Sequence, residues 1–327
     1  MEVSEPGVGM MGTRIGSVAA LWRYPVKSMM GEELNACQAD VRGLHGDRAY
    51  ALLDVETGKV ASAKQPRLWA RLFDCRAAFV EPPEPGKPAP PVRITLPDGA
   101  ITRSDEPGVD EALSTMLGRR VRLAVSAPEG TRFEEYWPDI EGLSPEGHRD
   151  TVTEFPVAEG APPGTFFDVS AFHLLTTQAL DALRRAYPDG RMEPRRFRPN
   201  VIVRAEGGGE GFVENEWVGR VLGIGSGLKI KVLIPTMRCV MTTLAQGDLP
   251  DDPGILRAAV LANRIPIRDR GRYPCVGVYG SLARKLSSGG EIRRGDPVTL
   301  EQVNTGNTLR SVGDPPKPEE EFRCGHS

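Results

Sequence analysis

Glycine and proline recur throughout this chain, 37 and 29 times in 327 residues. They punctuate short runs of β-branched and apolar residues. Each proline removes a backbone donor and each glycine eases a turn, so long helices have little room. The runs between them read as strands. Val92-Arg93-Ile94-Thr95-Leu96 alternates apolar and polar residues, as a half-buried strand does. Glu56-Thr57-Gly58-Lys59 and Pro97-Asp98-Gly99 are turn signals between runs that can pair as hairpins. A mixed α+β chain, mainly β, follows from this punctuation.

The length suits two packed domains with ample core. From residue 13 to 126 the pattern is strand-like, with one short helix expected over Pro107 to Leu117 and a strand at Val121 to Val125. Residues 127–165 carry several Pro and Gly with few periodic apolar positions, and read as a long connection or lid. A second domain spans 166–303. In it, Thr177 to Tyr187 has helical spacing with Thr176 as N-cap, and Asp252 to Leu261 is a further helix. Strands are expected at Phe197 to Val203, Trp217 to Ile224, Leu228 to Ile234 and Pro297 to Leu300. A leader (1–12) and a polar tail rich in Pro and Glu (304–327) read as disordered.

Lysine and arginine total 41 against 44 acidic residues. No global basic field exists to favour nucleic acid. No apolar stretch approaches a membrane span, and the first residues lack the pattern of a secretory signal. The five cysteines, Cys37, Cys75, Cys239, Cys275 and Cys324, are scattered and form no C-x-x-C pair. That spacing excludes a dense disulfide scaffold and a simple zinc or iron–sulfur site, and fits a reducing cytoplasm.

Four islands join a sharp turn to cationic or hydroxyl groups: Tyr24-Pro25-Val26-Lys27-Ser28, Gly43 to Arg48, Arg195 to Asn200, and Arg238-Cys239-Val240-Met241-Thr242-Thr243. Each alone reads equally as a solvated turn or a surface salt-bridge face. Together they supply what an anion site needs, cations with hydroxyl and amide donors. Cys239 closes a β-branched run beside an arginine, a setting expected to lower its pKa and favour the thiolate; the alternative is a packing cysteine. Asp248 and His45 are candidate general acids by their nearness to these motifs.

In this order and spacing the islands resemble the MOSC family, named for the C-terminal domain of molybdenum cofactor sulfurases, and within it the amidoxime-reducing branch. The late segments Gly277-Val278-Tyr279 and Gly295-Asp296-Pro297-Val298 fit as well. The resemblance covers roughly residues 13–303. It implies an N-terminal β-barrel-like MOSC domain packed on a MOSC β-barrel with a few helices, and a pyranopterin molybdenum cofactor in the cleft between them. It implies that Cys239 ligates molybdenum. Lys27, Ser28 and Arg48 on one side, and Thr176, Thr177, Arg198, Asn200 and Arg238 on the other, would hold the pterin and its phosphate. The implied activity is oxygen removal from N-hydroxylated or N-oxide substrates. Only Cys324 lies beyond residue 300, so no ferredoxin-type cysteine set is present there, and a separate ferredoxin or a flavin or haem reductase would supply electrons. No nucleic-acid or membrane partner is expected. Two alternatives use the same residues: a sulfur-transfer protein carrying a persulfide on Cys239, or a carrier of the molybdenum cofactor. Cys275 reads as a packed neutral cysteine or as a second thiol near the metal.

Overall fold

A computed structural model describes residues 12–143 and 148–301. Residues 1–11 and 302–327 lie outside the described residues, and with them all but the last residue of the expected leader, the whole expected tail and Cys324.

Seven strands close into a barrel: β1 (Thr13–Arg23), β2 (Phe172–Thr176), β3 (Val201–Ala205), β4 (Val221–Ile224), β5 (Leu228–Met237), β6 (Arg272–Leu282) and β7 (Pro297–Leu300). The order around it is β2-β3-β1-β7-β4-β5-β6 and back to β2. All pairs are antiparallel except β2–β3, where Leu174 faces Val201. Closure removes open sheet edges. The interior is apolar: Leu21, Phe172, Leu174, Val201, Val203, Leu222, Ile230, Val232 and Val278 are fully buried and belong to one core.

The barrel does not respect the linear division of the chain. β1 belongs to the N-terminal region, yet its neighbours are β3 and β7. Strand Ala36–Asp40 likewise pairs with Gly290–Arg293. The remaining N-terminal residues make a second core. There the three-stranded meander Arg76–Phe79, Val92–Thr95 and Ile101–Arg103, the pair Ala51–Asp54 with Val121–Ala124, and helix α1 (Val109–Leu117) enclose Leu52, Leu72, Ile94 and Leu113.

Several expectations differ from the structure. Residues 127–165 are not without structure, because Arg132–Trp137 and Thr151–Pro156 form a hairpin. Its inward positions are Phe133, Glu135 and Trp137, so a buried carboxylate interrupts the apolar alternation that would have marked it. The 11-residue β6 carries Pro274, Gly277 and Gly280, which disguise it as loop. Trp217 ends a 3-10 turn rather than opening a strand. Helices α2 (Thr177–Ala186) and α3 (Gly254–Ala262) form near the expected places.

Candidate functional site

The barrel mouth and the N-terminal region enclose a narrow cleft of about 80 Å³. Lys27 and Ser28 enter it from the turn after β1. Arg48 enters from the turn at Gly46, Arg198 and Asn200 from the loop before β3, and Arg238 and Cys239 from the end of β5. Six non-glycine residues have left-handed backbone among the described residues, and three of them line this cleft: Ser28 (φ 64°), Arg48 (φ 48°) and Arg198 (φ 55°). Such backbone costs about 1 kcal/mol or more per residue and persists where the surroundings hold it.

A wholly buried carboxylate does much of that holding. Asp47 accepts the Tyr24 N–H (2.8 Å), the Asn200 side-chain amide (2.9 Å) and the Arg48 guanidinium. Asn200 also donates to Trp22 O (3.3 Å) and accepts the His173 N–H (3.1 Å). Its amide therefore ties β1 to β2 as well as lining the cleft. Arg238 is similarly engaged. It donates to Val276 O (2.9 Å from Nε), Phe197 O (3.0 Å) and His173 Nε2 (2.5 Å).

Arg198 differs. Its Nη1 donates to Met29 O (2.8 Å), while its buried Nη2 has no partner among the described residues. The guanidinium stacks on Tyr24 at 4.1 Å from the ring centroid. Burial and the neighbouring Arg48 press its pKa down to about 10. An unpartnered buried donor is costly, and an anion beside it would relieve both the missing bond and the charge repulsion.

On the thiol side the structure adds groups that the sequence motifs omit. Lys64, Asp168, Ser170, His173 and Tyr279 all line the cleft. Asp168 takes Lys27 on one oxygen and Lys64 on the other (3.4 Å), while Glu135 holds Lys64 at 2.9 Å. Burial would raise the Asp168 carboxyl, but the two lysines outweigh it and hold it well below the usual range. Burial would lower Lys64, and Asp168 and Glu135 outweigh that in turn.

Cys239 is half-buried in the cleft wall. Its expected low pKa is overturned: burial, then the Glu135 charge, push the thiol up to about 12 against the pull of Lys64. The adjacent arginine does not counter this, because the Arg238 guanidinium is bonded to Val276 O and His173. The hydroxyls of Thr242 and Thr243 turn back onto Cys239 O (3.1 Å) and Val240 O (2.8 Å), fixing the loop.

Four candidates lie elsewhere. Thr176 caps α2 through the Ala179 N–H (3.1 Å) and donates to buried Glu214 (2.6 Å), and Thr177 bonds Gln178 (2.9 Å). Neither lines the cleft. An N-cap hydroxyl resembles an anion-site hydroxyl in sequence, and here the helix start is covered by Glu214. His45 pairs with Asp40 (3.1 Å), and exposed Asp248 pairs with Arg191 and Arg195, so neither candidate general acid is in the cleft. Cys275 packs with Trp137, Leu256 and Tyr273, pushed up to about 12 by burial, and is a core cysteine.

Among the described residues, no group of three or more His, Cys, Asp or Glu side chains could hold a metal ion. A metal at Cys239 therefore has to arrive carrying its other donors. The free Arg198 Nη2, the Lys27 ammonium (bonded to Phe166 O at 2.8 Å and to Asp168, with a third N–H remaining) and the Cys239 thiol fit a group that combines a phosphate with a ligated metal.

The chain belongs to the MOSC-domain family. The family model described as the MOSC domain matches residues 162–299, and that of the MOSC N-terminal beta barrel domain matches 15–104. Over 308 residues it is 23% identical to mitochondrial amidoxime-reducing component 1 of Mus musculus, covering 88% of this chain and 83% of that protein. Mitochondrial amidoxime reducing component 2 of Homo sapiens is 24% identical over 306 residues, covering 87% and 83%. The solved structure of the YUAD protein from Bacillus subtilis covers 90% of this chain and 100% of its own at 13% identity, with a TM-score of 0.39. Among the described residues no helix is long and apolar enough to cross a membrane.

Proposed function

We propose that this protein is a molybdenum-cofactor-dependent oxidoreductase that reduces N-hydroxylated or N-oxide substrates. One observation carries the reading: a single half-buried thiol, Cys239, shares a cleft with Lys27, Arg48 and a buried arginine, Arg198, whose Nη2 lacks a partner among the described residues. Lys27, Ser28, Arg48 and Arg198 would hold the phosphate and pterin, and Cys239 would be the one protein ligand to the metal. Asn200 and Arg238 would shape the wall, since their hydrogen bonds go largely to protein.

When bound, the cofactor supplies two electrons, taken from a separate donor protein. With two protons they convert an N–OH group to N–H and water. This chain's residues orient the group, and Phe167, Met237 and Met241 limit water in the cleft. A persulfide carrier would not need three cations converging beside the thiol, which favours the cofactor reading.

The test is molybdenum content by elemental analysis of protein made in a host competent for the cofactor. Near-stoichiometric metal is expected in wild type, with loss in Cys239→Ala and in Arg198→Ala. Well-folded wild type without metal or pterin would overturn the reading.

A further inference from the structure

Two of the arginines in the cleft are fastened to one imidazole. His173, in β2, is 4% exposed. Its Nδ1 lies 3.2 Å from Arg198 O, and its Nε2 lies 2.5 Å from Arg238 Nη2 and 3.4 Å from Val276 O. A guanidinium can only donate and a carbonyl only accept. One state of the ring satisfies both arginine contacts: neutral, with the proton on Nδ1, so that Nδ1–H donates to Arg198 O and Nε2 accepts from Arg238. A second proton would point at the guanidinium.

The backbone repeats the connection. Asn200 N–H donates to His173 O (2.8 Å), and His173 N–H donates to Asn200 Oδ1 (3.1 Å). Room for the ring is set by Gly277, where a Cβ would sit 2.5 Å from His173 Nε2. Arg198 has left-handed backbone (φ 55°), which persists where the surroundings hold it. The Met29 carbonyl accepts from the side chain, and the Arg198 carbonyl is met by His173 Nδ1 at 3.2 Å and, at 3.4 Å, by Arg48 Nη2.

We propose that His173, as the neutral Nδ1–H tautomer, is the positioning residue that aims Arg198 into the cleft and fastens Arg238 in its wall. This rests on the reading above in one respect, that Arg198 faces a phosphate. The role is indirect: His173 acts through the two arginines.

The experiment uses the full chain produced without cofactor, with inorganic phosphate as the probe in calorimetric titration. Wild type is compared with His173→Leu, His173→Asn and His173→Gln. An asparagine amide can reach the Nδ1 position and donate to Arg198 O. A glutamine amide reaches the Nε2 position and serves Arg238 instead. His173→Leu is expected to weaken phosphate binding at least about tenfold. His173→Asn should stay within about threefold of wild type and His173→Gln should fall near the leucine variant. A packing role would not produce that order. If His173→Leu does not fold, the asparagine–glutamine comparison decides.

Phosphate binding by wild type that is equal in the folded Leu, Asn and Gln variants would overturn the inference and leave the cofactor reading standing. Absence of phosphate binding by wild type would overturn both.

Discussion

Arg48 and Arg198 approach the same tyrosine from left-handed backbone. Their guanidinium carbons lie 4.7 and 4.1 Å from the Tyr24 ring centroid, and Arg48 Nη2 reaches Arg198 O at 3.4 Å. Both guanidinium groups lie against the ring, and Tyr24 Oη is buried with no partner among the described residues. Tyr24→Phe is therefore expected to bind phosphate as wild type does and to be as stable or up to about 1 kcal/mol more stable, by removing an unsatisfied group. Tyr24→Leu, which removes the cation–π face, should lose binding. Urea unfolding and calorimetry check both. Loss of cofactor from the phenylalanine variant would mean that the hydroxyl serves the ligand.

At Arg198 backbone and side chain make opposite demands. Arg198→Gly should be about 1 kcal/mol more stable than Arg198→Ala, since only glycine is at ease at φ 55°. Both variants should lose phosphate equally. Chemical denaturation with a binding titration separates the two effects, and equal stability of the pair would contradict the strain argument.

Lys64 bridges two carboxylates, Asp168 of the cleft wall and Glu135 of the hairpin. Lys64→Met leaves Glu135 and Asp168 with less compensation in a mostly buried place. The expected loss is about 3 kcal/mol. Lys64→Met combined with Glu135→Leu should recover a good part of it. A double variant no more stable than the single one would show that the pair contributes little.

Burial, then the Arg238 charge, hold His173 well below the ordinary imidazole pKa. Arg238, Arg48 and the Tyr279 ring face it, with the Arg198 and Val276 carbonyls. The folded protein thus binds fewer protons than the unfolded chain once pH falls below about 6.5. This contribution is full above that pH and is lost as pH drops toward the folded value, at up to about 1.4 kcal/mol per unit. Unfolding free energies at pH 7.5, 6.5 and 5.5 should show that slope, and His173→Gln should flatten it. An unchanged slope would mean that another group sets the acid limit.

Much of the cleft was legible because its cations sit on turns. Lys27, Arg48 and Arg198 each lie where a β-run breaks at Pro or Gly, and the fold brings those breaks together at one barrel mouth. Lys64 and Asp168 carried no such mark. Asp168 precedes β2 in an ordinary approach segment, and Lys64 becomes meaningful only when Glu135 arrives on a hairpin whose buried carboxylate hid it. Thr176 misled for a reason of chemistry, since helix capping and anion binding call for the same hydroxyl beside the same free N–H groups. The thiol misled because neighbourhood in sequence is not proximity of charge. Arg238 follows the chain into Cys239, but its guanidinium points at His173.

The place of β1 in the barrel has a consequence for how the molecule is made. Ser17 pairs with Arg204 on one side and with Pro297 on the other. At about 5–20 residues per second, a ribosome needs roughly 15–60 s between making Ser17 and making Pro297. Through that interval one edge of β1 has donors and acceptors without their native strand. Conditions that slow translation late in the message, or fusions that delay release of its last segment, should therefore show up as aggregation of the newborn chain while the stability of the finished protein is unchanged.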